Sequence, residues 1–275
     1  MRVHVLQLAY GDDEPVADRV ARVAELVRAQ RGADLVVLPE LWAHGGFSYR
    51  DWADNGEPVA GPTVQALAAA ARDLGAVVHA GSIVERVAAD APPAEHGPEG
   101  RGMWNTSVLL GPGGDVLATY RKIHRFGFGQ GEPLLMEAGE DVVTVPLPLP
   151  GADEQSLAAL ATCYDLRFPE LFRRFVDAGA RLVVLPAAWP AARVEAWRLL
   201  GRARAMENQL VLVQCNTAGT HAGVTMGGYS QVVDARGEVL AQAGPDAETV
   251  LTVDVDLAEV DAWRTAFPVL ADRRL

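Results

Sequence analysis

The apolar segment Leu-Val-Val-Leu-Pro occurs twice in this chain, at residues 35–39 and 182–186. Each copy is short, rich in β-branched side chains and free of charge, which is typical of a strand that other layers cover on both faces. Predicted strands and helices of matching type surround the two copies. The repeat therefore predicts two similar halves, each organised around one buried strand.

Hydrophobic periodicity and turn residues divide both halves into alternating strands and helices, which is typical of an α/β fold. Short apolar runs predict strands at residues 3–8, 34–40, 76–84, 156–163, 181–186 and 210–216. Helical spacing predicts helices from 16 to the stop at Gly32 and over 64–74, 169–179 and 194–208. Hairpins are predicted from 105–110 with 115–120 and over 228–240, and a surface excursion over 88–103.

The length of 275 residues leaves one or two domains open, since a domain commonly has roughly 100–200 residues. No composition shift or flexible linker separates the two halves. We therefore expect residues 1–275 to form a single domain with one shared core. Two stacked sheets, each faced by helices on its outer side, give a four-layer α/β/β/α sandwich.

Composition and charge argue against several classes of protein. Lys and Arg number 24 against 36 Asp and Glu, and the net charge of −12 repels phosphate backbones and anionic lipids, so we expect no nucleic-acid or membrane partner. A hydrophobic share of 49% excludes bulk disorder, and no apolar run approaches the ~18–20 residues of a membrane span. The N-terminus lacks the apolar core of a signal peptide, and two cysteines make no disulfide framework, which favours the cytoplasm.

Cys163 lies where a predicted strand ends, shortly before a predicted helix, in Ala-Thr-Cys-Tyr-Asp-Leu-Arg-Phe-Pro. The carboxyl end of a buried strand opens into the crevice where α/β proteins bind ligands, and nearby helix amides lower a thiol pKa and bind an oxyanion. Cys163 is therefore a candidate nucleophile, and a small buried hydrophobe is the alternative interpretation. Cys215, inside an apolar strand, is expected to be structural.

Glu40 and Lys122 are charged residues at the ends of two other predicted strands. Each has a simpler interpretation, the first as a water-facing carboxylate and the second as part of a solvated basic edge with Arg121. A thiol with a pKa of about 8.5 is only a few per cent ionised at neutral pH, so a nucleophilic Cys163 needs a base such as Glu40. The Lys122 ammonium and the backbone N–H of Tyr164 are suited to stabilising the oxyanion that forms on attack at a carbonyl.

In this order and at these separations, LVVLPE with Glu40, YRKIH with Lys122 and TCYDLRFPE with Cys163 resemble the Glu-Lys-Cys triad of the nitrilase, or carbon–nitrogen hydrolase, superfamily. The resemblance covers essentially the whole chain and includes LPAAW at 185–189 and ARAMEN at 203–208. It implies the four-layer fold and a reaction without a metal or organic cofactor. It also implies pairing through helices into a homodimer or a larger homo-oligomer.

The same resemblance implies a second glutamate, which holds the lysine and helps to orient the nitrogen of the substrate. In the family this glutamate lies seven residues before a glycine. Glu132 fits this pattern, since Gly139 follows it at that distance. Glu137 is the alternative, because it is also near in sequence.

The motif around the nucleophile indicates the branch of the family. Members that act on nitriles commonly have Cys-Trp-Glu and longer chains, whereas Cys163-Tyr-Asp in this shorter chain is similar to the amidase branches. We therefore expect hydrolysis of a small non-peptide amide, including an ω-amide of a dicarboxylic acid, to a carboxylate and ammonia through a cysteine thioester. An N-carbamoyl compound, a nitrile or a catalytically silent scaffold homologue are the alternatives. Arg167, Trp189 and residues 126–128 are expected to shape the substrate pocket.

Other catalytic patterns do not occur in the sequence. It has no Gly-x-Ser-x-Gly elbow, phosphate loop or Cys-x-x-Cys pair, and its six histidines lack metal-ligand spacing. We therefore expect no metal site. His124 follows Lys122 by two residues and is predicted to face the same side, either supporting the site or serving as a structural histidine.

Overall fold

The computed structural model describes residues 1–148 and 157–274. The strands are β1 (Arg2–Gln7), β2 (Leu35–Val37), β3 (Val77–Arg86), β4 (Met103–Leu110), β5 (Val116–Arg121), β6 (Thr144–Pro146), β7 (Leu157–Leu160), β8 (Leu182–Pro186), β9 (Val211–Cys215), β10 (Thr220–His221), β11 (Val224–Thr225), β12 (Gln231–Val233), β13 (Val239–Gln242) and β14 (Thr249–Asp254). The α-helices are α1 (Val16–Arg28), α2 (Trp52–Asn55), α3 (Pro62–Leu74), α4 (Glu132–Leu135), α5 (Pro169–Asp177), α6 (Val194–Asn208) and α7 (Ala258–Ala266). Short 3-10 helices cover Pro93–His96, Cys163–Arg167, Ala191–Arg193 and Val269–Asp272.

Two six-stranded sheets have the same internal arrangement. Their strand orders are β14-β1-β2-β3-β4-β5 and β6-β7-β8-β9-β12-β13. In each sheet the second, third and fourth strands are parallel, and the remaining neighbours pair antiparallel. The repeated apolar segments form β2 and β8, which occupy the same third place. This confirms the prediction of two similar halves.

Successive side chains of the repeated strands point into different cores. Val37 of β2 and Val184 of β8 both lie in a central core between the two sheets. Their neighbours point outwards, Val36 toward α1 and α3 and Val183 toward α5 and α6. A strand buried on both faces needs apolar residues at every position, which explains the absence of charge in both copies. The layers are therefore helices, sheet, sheet and helices, which confirms the four-layer α/β/β/α sandwich.

Two elements differ from the sequence prediction. The strand predicted over 156–163 ends at Leu160, and Cys163 begins a 3-10 helix instead of ending the strand; residue 156 itself lies outside the described residues. The predicted elements also omit β14, which pairs antiparallel with β1 and completes the first sheet. The excursion over 88–103 does connect two antiparallel strands, β3 and β4, and contains the 3-10 helix Pro93–His96.

Candidate active site

Lys122 lies between two carboxylates inside the protein. Its ammonium nitrogen donates to Oε1 of Glu40 at 2.7 Å and to Oε1 of Glu132 at 2.9 Å. All three side chains are almost completely buried, with 2–3% of their surface exposed. Buried charges are stable only when they are paired and hydrogen-bonded, and this cluster meets both conditions.

Neutral donors occupy the remaining positions around the two carboxylates. The side-chain amide of Asn105 donates to Oε1 of Glu40 at 2.8 Å and to Oε1 of Glu132 at 2.6 Å. The backbone N–H of Ala188, just after β8, donates to Oε2 of Glu40 at 2.8 Å, and the N–H of Phe126 donates to Oε2 of Glu132. The carboxylates are therefore held in fixed orientations by three separate segments of the chain.

Strand alternation decides which basic residue at the end of β5 enters this cluster. Lys122 points inward, whereas the neighbouring Arg121 points outward, where it bonds Glu85 and covers the ring of Trp104 at 3.8 Å. The basic pair is thus divided between the interior and the surface, as the period of two along a strand requires.

The pKa shift of Lys122 indicates its charge state. Burial disfavours the charged form of Lys122, but the carboxylates of Glu132 and Glu40 outweigh it and raise the pKa of Lys122 well above its ordinary value. Burial raises the pKa of Glu132, an effect that Lys122 opposes and Glu40 increases. Lys122 therefore remains an ammonium at neutral pH and cannot serve as a base.

Cys163 lies beside Glu40 in a strained backbone conformation. Its φ is +48°, in the left-handed region, which costs a residue other than glycine about 1–3 kcal/mol and is concentrated at functional sites. Its side chain is 93% buried, with 7% exposed. Burial raises the pKa of the Cys163 thiol, and the nearby charge of Glu40 raises it further. The resting thiol is therefore protonated, with the carboxylate of Glu40 near it.

Tyr164 follows Cys163 on the same turn and offers a free backbone donor. Within the described residues no hydrogen bond uses the Tyr164 N–H. A backbone donor on the turn of Cys163, together with the Lys122 ammonium, has the chemistry of an oxyanion hole.

Cys163 lines a small pocket that is partly open to solvent. Trp189 and Arg167, both predicted to shape this pocket, line it. The Arg167 guanidinium lies 4.9 Å from the centre of the Trp189 ring. Of residues 126–128, Phe126 lines the pocket, whereas the side chain of Phe128 is 78% exposed. The full lining comprises Phe47, Phe126, Cys163, Tyr164, Arg167, Ala188, Trp189, Pro190 and Arg193.

The structure places Glu137 away from Lys122 and Cys215 in the core, as expected for a structural cysteine. The carboxylate of Glu137 accepts the backbone N–H groups of Glu99 and Arg101, so that Glu132 and not Glu137 contacts Lys122. Cys215 lies in the central core between the sheets.

Sequence reasoning missed Asn105 and Arg193. Asn105 leaves a signal, because Asn-Thr-Ser interrupts the otherwise apolar sequence of β4, but that signal does not name its partners. Arg193 ends a 3-10 helix outside the motifs that carry the resemblance and leaves no such signal.

A four-layer α/β/β/α fold with a buried lysine between two glutamates and a cysteine beside them defines a class, the hydrolases of non-peptide carbon–nitrogen bonds. This chain belongs to the carbon–nitrogen hydrolase family, whose model matches residues 2–265. It is 44% identical over 272 residues to a 2-oxoglutaramate amidase of Paenarthrobacter nicotinovorans. That match covers 99% of this chain and 89% of the relative. It is 31% identical over 268 residues to an omega-amidase of Mus musculus, with 94% and 90% covered.

A solved structure agrees with the family assignment. A CN-hydrolase superfamily protein of Xanthomonas campestris, determined with an arsenic adduct in its active site, superimposes with a TM-score of 0.85 at 30% identity. The match covers 100% of this chain and 97% of that one. These comparisons confirm the family, the fold class and the class of reaction, hydrolysis of a non-peptide amide.

Residues 1–148 and 157–274 contain no helix long and apolar enough to cross a membrane. The same ranges contain no group of three or more His, Cys, Asp or Glu side chains arranged to hold a metal ion.

Proposed function

We propose that this chain is an ω-amidase, which hydrolyses the terminal amide of a short dicarboxylic acid monoamide such as 2-oxoglutaramate. One observation carries the choice of substrate: Arg167 and Arg193 both line the pocket of Cys163. Neither guanidinium has a carboxylate partner among the described residues; each lies over an aromatic ring, of Trp189 and Phe126 respectively. Guanidinium groups bind carboxylates through paired hydrogen bonds, so this pocket suits a substrate that has a carboxylate at its far end.

The names of the relatives agree with this charge argument. The similar proteins of Paenarthrobacter nicotinovorans and Mus musculus are a 2-oxoglutaramate amidase and an omega-amidase. The small size of the pocket, lined largely by aromatic and aliphatic groups, supports a short acyl chain. An N-carbamoyl compound and a nitrile have no comparable support.

In the first half of the reaction, Glu40 removes the thiol proton of Cys163 while the sulfur attacks the amide carbonyl carbon. The carbonyl oxygen becomes an oxyanion, which the Lys122 ammonium and the Tyr164 N–H stabilise. The carbon–nitrogen bond then breaks, and the protonated Glu40 returns its proton to the leaving nitrogen, which departs as ammonia. The product of this half is a thioester on Cys163.

In the second half, Glu40 removes a proton from water, and the hydroxyl attacks the thioester carbonyl. The same two donors stabilise the second oxyanion. When the carbon–sulfur bond breaks, Glu40 protonates the sulfur, and the carboxylic acid product leaves. Glu132 keeps Lys122 charged and helps to orient the nitrogen of the substrate.

We also infer that the chain acts as a single catalytic domain. Glu40 and Lys122 come from the first half and Cys163 from the second, so neither half alone contains the site. Leu199 and Met206 on α6 are 68% and 52% exposed, which supports pairing of two copies through helices. Both cysteines are free thiols, which supports a cytoplasmic location.

Ammonia release from a matched panel of substrates tests the proposed function. We expect kcat/KM for a monoamide of a four- or five-carbon dicarboxylic acid to exceed that for the neutral amide with methyl in place of the carboxylate by at least about 100-fold, the value of two charge-assisted hydrogen bonds. The corresponding nitrile and an N-carbamoyl amino acid complete the panel. Equal rates on the charged and neutral amides, or turnover of the N-carbamoyl compound alone, would contradict the proposal.

Cys163→Ala is the matched control for the chemistry. The variant should release no ammonia while its circular dichroism spectrum stays that of the wild type. An active Cys163→Ala protein rules out the thioester. No turnover of any compound by the wild type, together with equal labelling of Cys163 and Cys215 by iodoacetamide, would instead favour a silent scaffold.

A further inference from the structure

We propose that Asp165 is a positioning residue, which fixes the Cys163 thiol relative to the Lys122 ammonium. It does not line the pocket of Cys163, and the mechanism above does not use it. The inference rests on the proposed function only in taking Cys163 and Lys122 as the reacting and stabilising groups.

The carboxylate of Asp165 accepts four hydrogen bonds in a site closed to solvent. Its Oδ1 accepts the backbone N–H of His124 at 3.1 Å and the Nδ1–H of the same residue at 2.7 Å. Its Oδ2 accepts the hydroxyl of Tyr120 at 2.6 Å and the backbone N–H of Thr162 at 2.8 Å. The side chain of Asp165 is completely buried.

These donors lie immediately next to the reacting groups along the chain. Tyr120 and His124 come two residues before and two residues after Lys122, and the Tyr120 hydroxyl also accepts the N–H of Ile123 at 3.3 Å. Thr162 directly precedes Cys163. One carboxylate therefore connects the backbone that carries the ammonium with the backbone that carries the thiol.

The same carboxylate also supports the strained conformation of Cys163. Thr162 and Asp165 form a reciprocal capping box, in which the backbone of each bonds the side chain of the other. Cys163 lies between them with a φ of +48°. A cysteine stays in the left-handed region only where neighbouring contacts hold it there, and the capping box supplies them.

The chemistry of this position requires a carboxylate. All four partners are donors, so the group that receives them needs acceptors on both oxygens. An asparagine in either orientation would turn its NH2 group toward two N–H or O–H donors. Asp165→Asn therefore removes two of the four hydrogen bonds while conserving the shape of the side chain.

Steady-state kinetics of Asp165→Asn test the inference. A displacement of about 1 Å at a reacting group costs about 100-fold in rate, so we expect kcat on the ω-amide to fall by that order. Because the pocket is unchanged, KM and the inhibition constant of the dicarboxylate product should stay within threefold of the wild type. Asp234→Asn is the matched control: Asp234 also accepts two backbone N–H groups, but in the turn between β12 and β13, and its loss should leave kcat unchanged.

Tyr120→Phe is the second variant, which decides the question if Asp165→Asn does not fold. It removes one of the four donors and leaves the carboxylate in place, and we expect a 5- to 20-fold loss of kcat with the product inhibition constant unchanged. A folded variant of either kind with wild-type kcat, or a loss of kcat matched by an equal weakening of product binding, overturns the inference. Failure of the wild type on every ω-amide rejects the proposed function instead, and the kcat ratio on whichever amide it does hydrolyse still tests Asp165.

Discussion

The side-chain amide of Asn105 lies 2.8 Å from the carboxylate of Glu40, which it reaches from strand β4 across 65 residues of sequence. The same nitrogen lies 2.6 Å from Glu132, so that one neutral donor joins the two acids that surround Lys122. A neutral donor stabilises both carboxylates without adding a second positive charge that would compete with the ammonium. Asn105 is therefore part of the electrostatic balance of the site and not only of its packing.

Asn105→Ala should reduce both activity and stability. Each of the two buried carboxylates loses a hydrogen bond, which costs about 1–3 kcal/mol per unsatisfied group, and kcat should fall about 10- to 100-fold as the carboxylates reorient. Urea unfolding and ammonia release measure the two effects. Asn55→Ala, at an exposed position on α2, is the control and should match the wild type. A kcat for Asn105→Ala within twofold of the wild type would show that the amide has no electrostatic role.

The sequence predicts the layers of the fold well because a strand that is buried on both faces has apolar residues at nearly every position. The charge-free segments that form β2 and β8 identify both sheets, and helical spacing identifies α1, α3, α5 and α6. Strand β14 leaves no such trace, because it lies at the edge of a sheet with alternate residues exposed. Its pairing with β1 joins the two ends of the chain, a contact that local sequence patterns do not contain.

The candidate site divides in the same way. Strand ends and family spacing locate Glu40, Lys122, Cys163 and Glu132. In the structure Lys122 contacts both glutamates, and Cys163 lies beside Glu40. Asn105 escapes prediction because its partners are decided by how β4 packs against segments distant in sequence. Contacts that depend on tertiary packing between distant segments have no pattern in the local sequence that would predict them.

Arg193→Ala should weaken the binding of charged substrates only. If its guanidinium holds the far carboxylate, its loss removes a hydrogen bond to a charged group, worth about 1.5–3 kcal/mol, and KM for an ω-amide should rise 10- to 100-fold. The neutral amide should be hydrolysed as before. Arg198→Ala is the control, since Arg198 pairs with Glu195 outside the pocket. An equal rise in KM for both amides would mean that Arg193 shapes the pocket without recognising charge.

Alkylation of Cys163 should depend on pH in a way that Glu40 controls. Because burial and Glu40 raise the pKa of the thiol, the thiolate fraction should increase about tenfold per pH unit and continue to rise beyond pH 9. Glu40→Gln removes one cause of the rise, so its alkylation profile should shift to lower pH although it hydrolyses no amide. Iodoacetamide labelling followed by mass spectrometry measures both profiles, and the exposed Glu140→Gln serves as control. A profile for Glu40→Gln that stays in place or moves to higher pH would show that Glu40 does not act on the thiol.

Gly139→Ala should disturb the site through the backbone of the lysine segment. The N–H of Gly139 donates to the carbonyl of Lys122 at 2.9 Å, and a Cβ at this position would lie 1.9 Å from the carbonyl oxygen of Arg121. Backbone atoms cannot move aside as a flexible side chain can, so the Lys122 segment must shift, at a cost of about 1–3 kcal/mol. We expect kcat to fall at least tenfold and the urea midpoint to decrease.

Gly244→Ala is the control for that substitution, because a Cβ there meets no heavy atom within 4 Å. Its activity should be unchanged, and its stability should be equal to or slightly above that of the wild type, since alanine restricts the unfolded chain. A Gly139→Ala protein with wild-type kcat would mean that the Lys122 ammonium tolerates a backbone shift. In that case the hydrogen bonds from Lys122 to Glu40 and Glu132, and not the strand that carries it, determine where the charge lies.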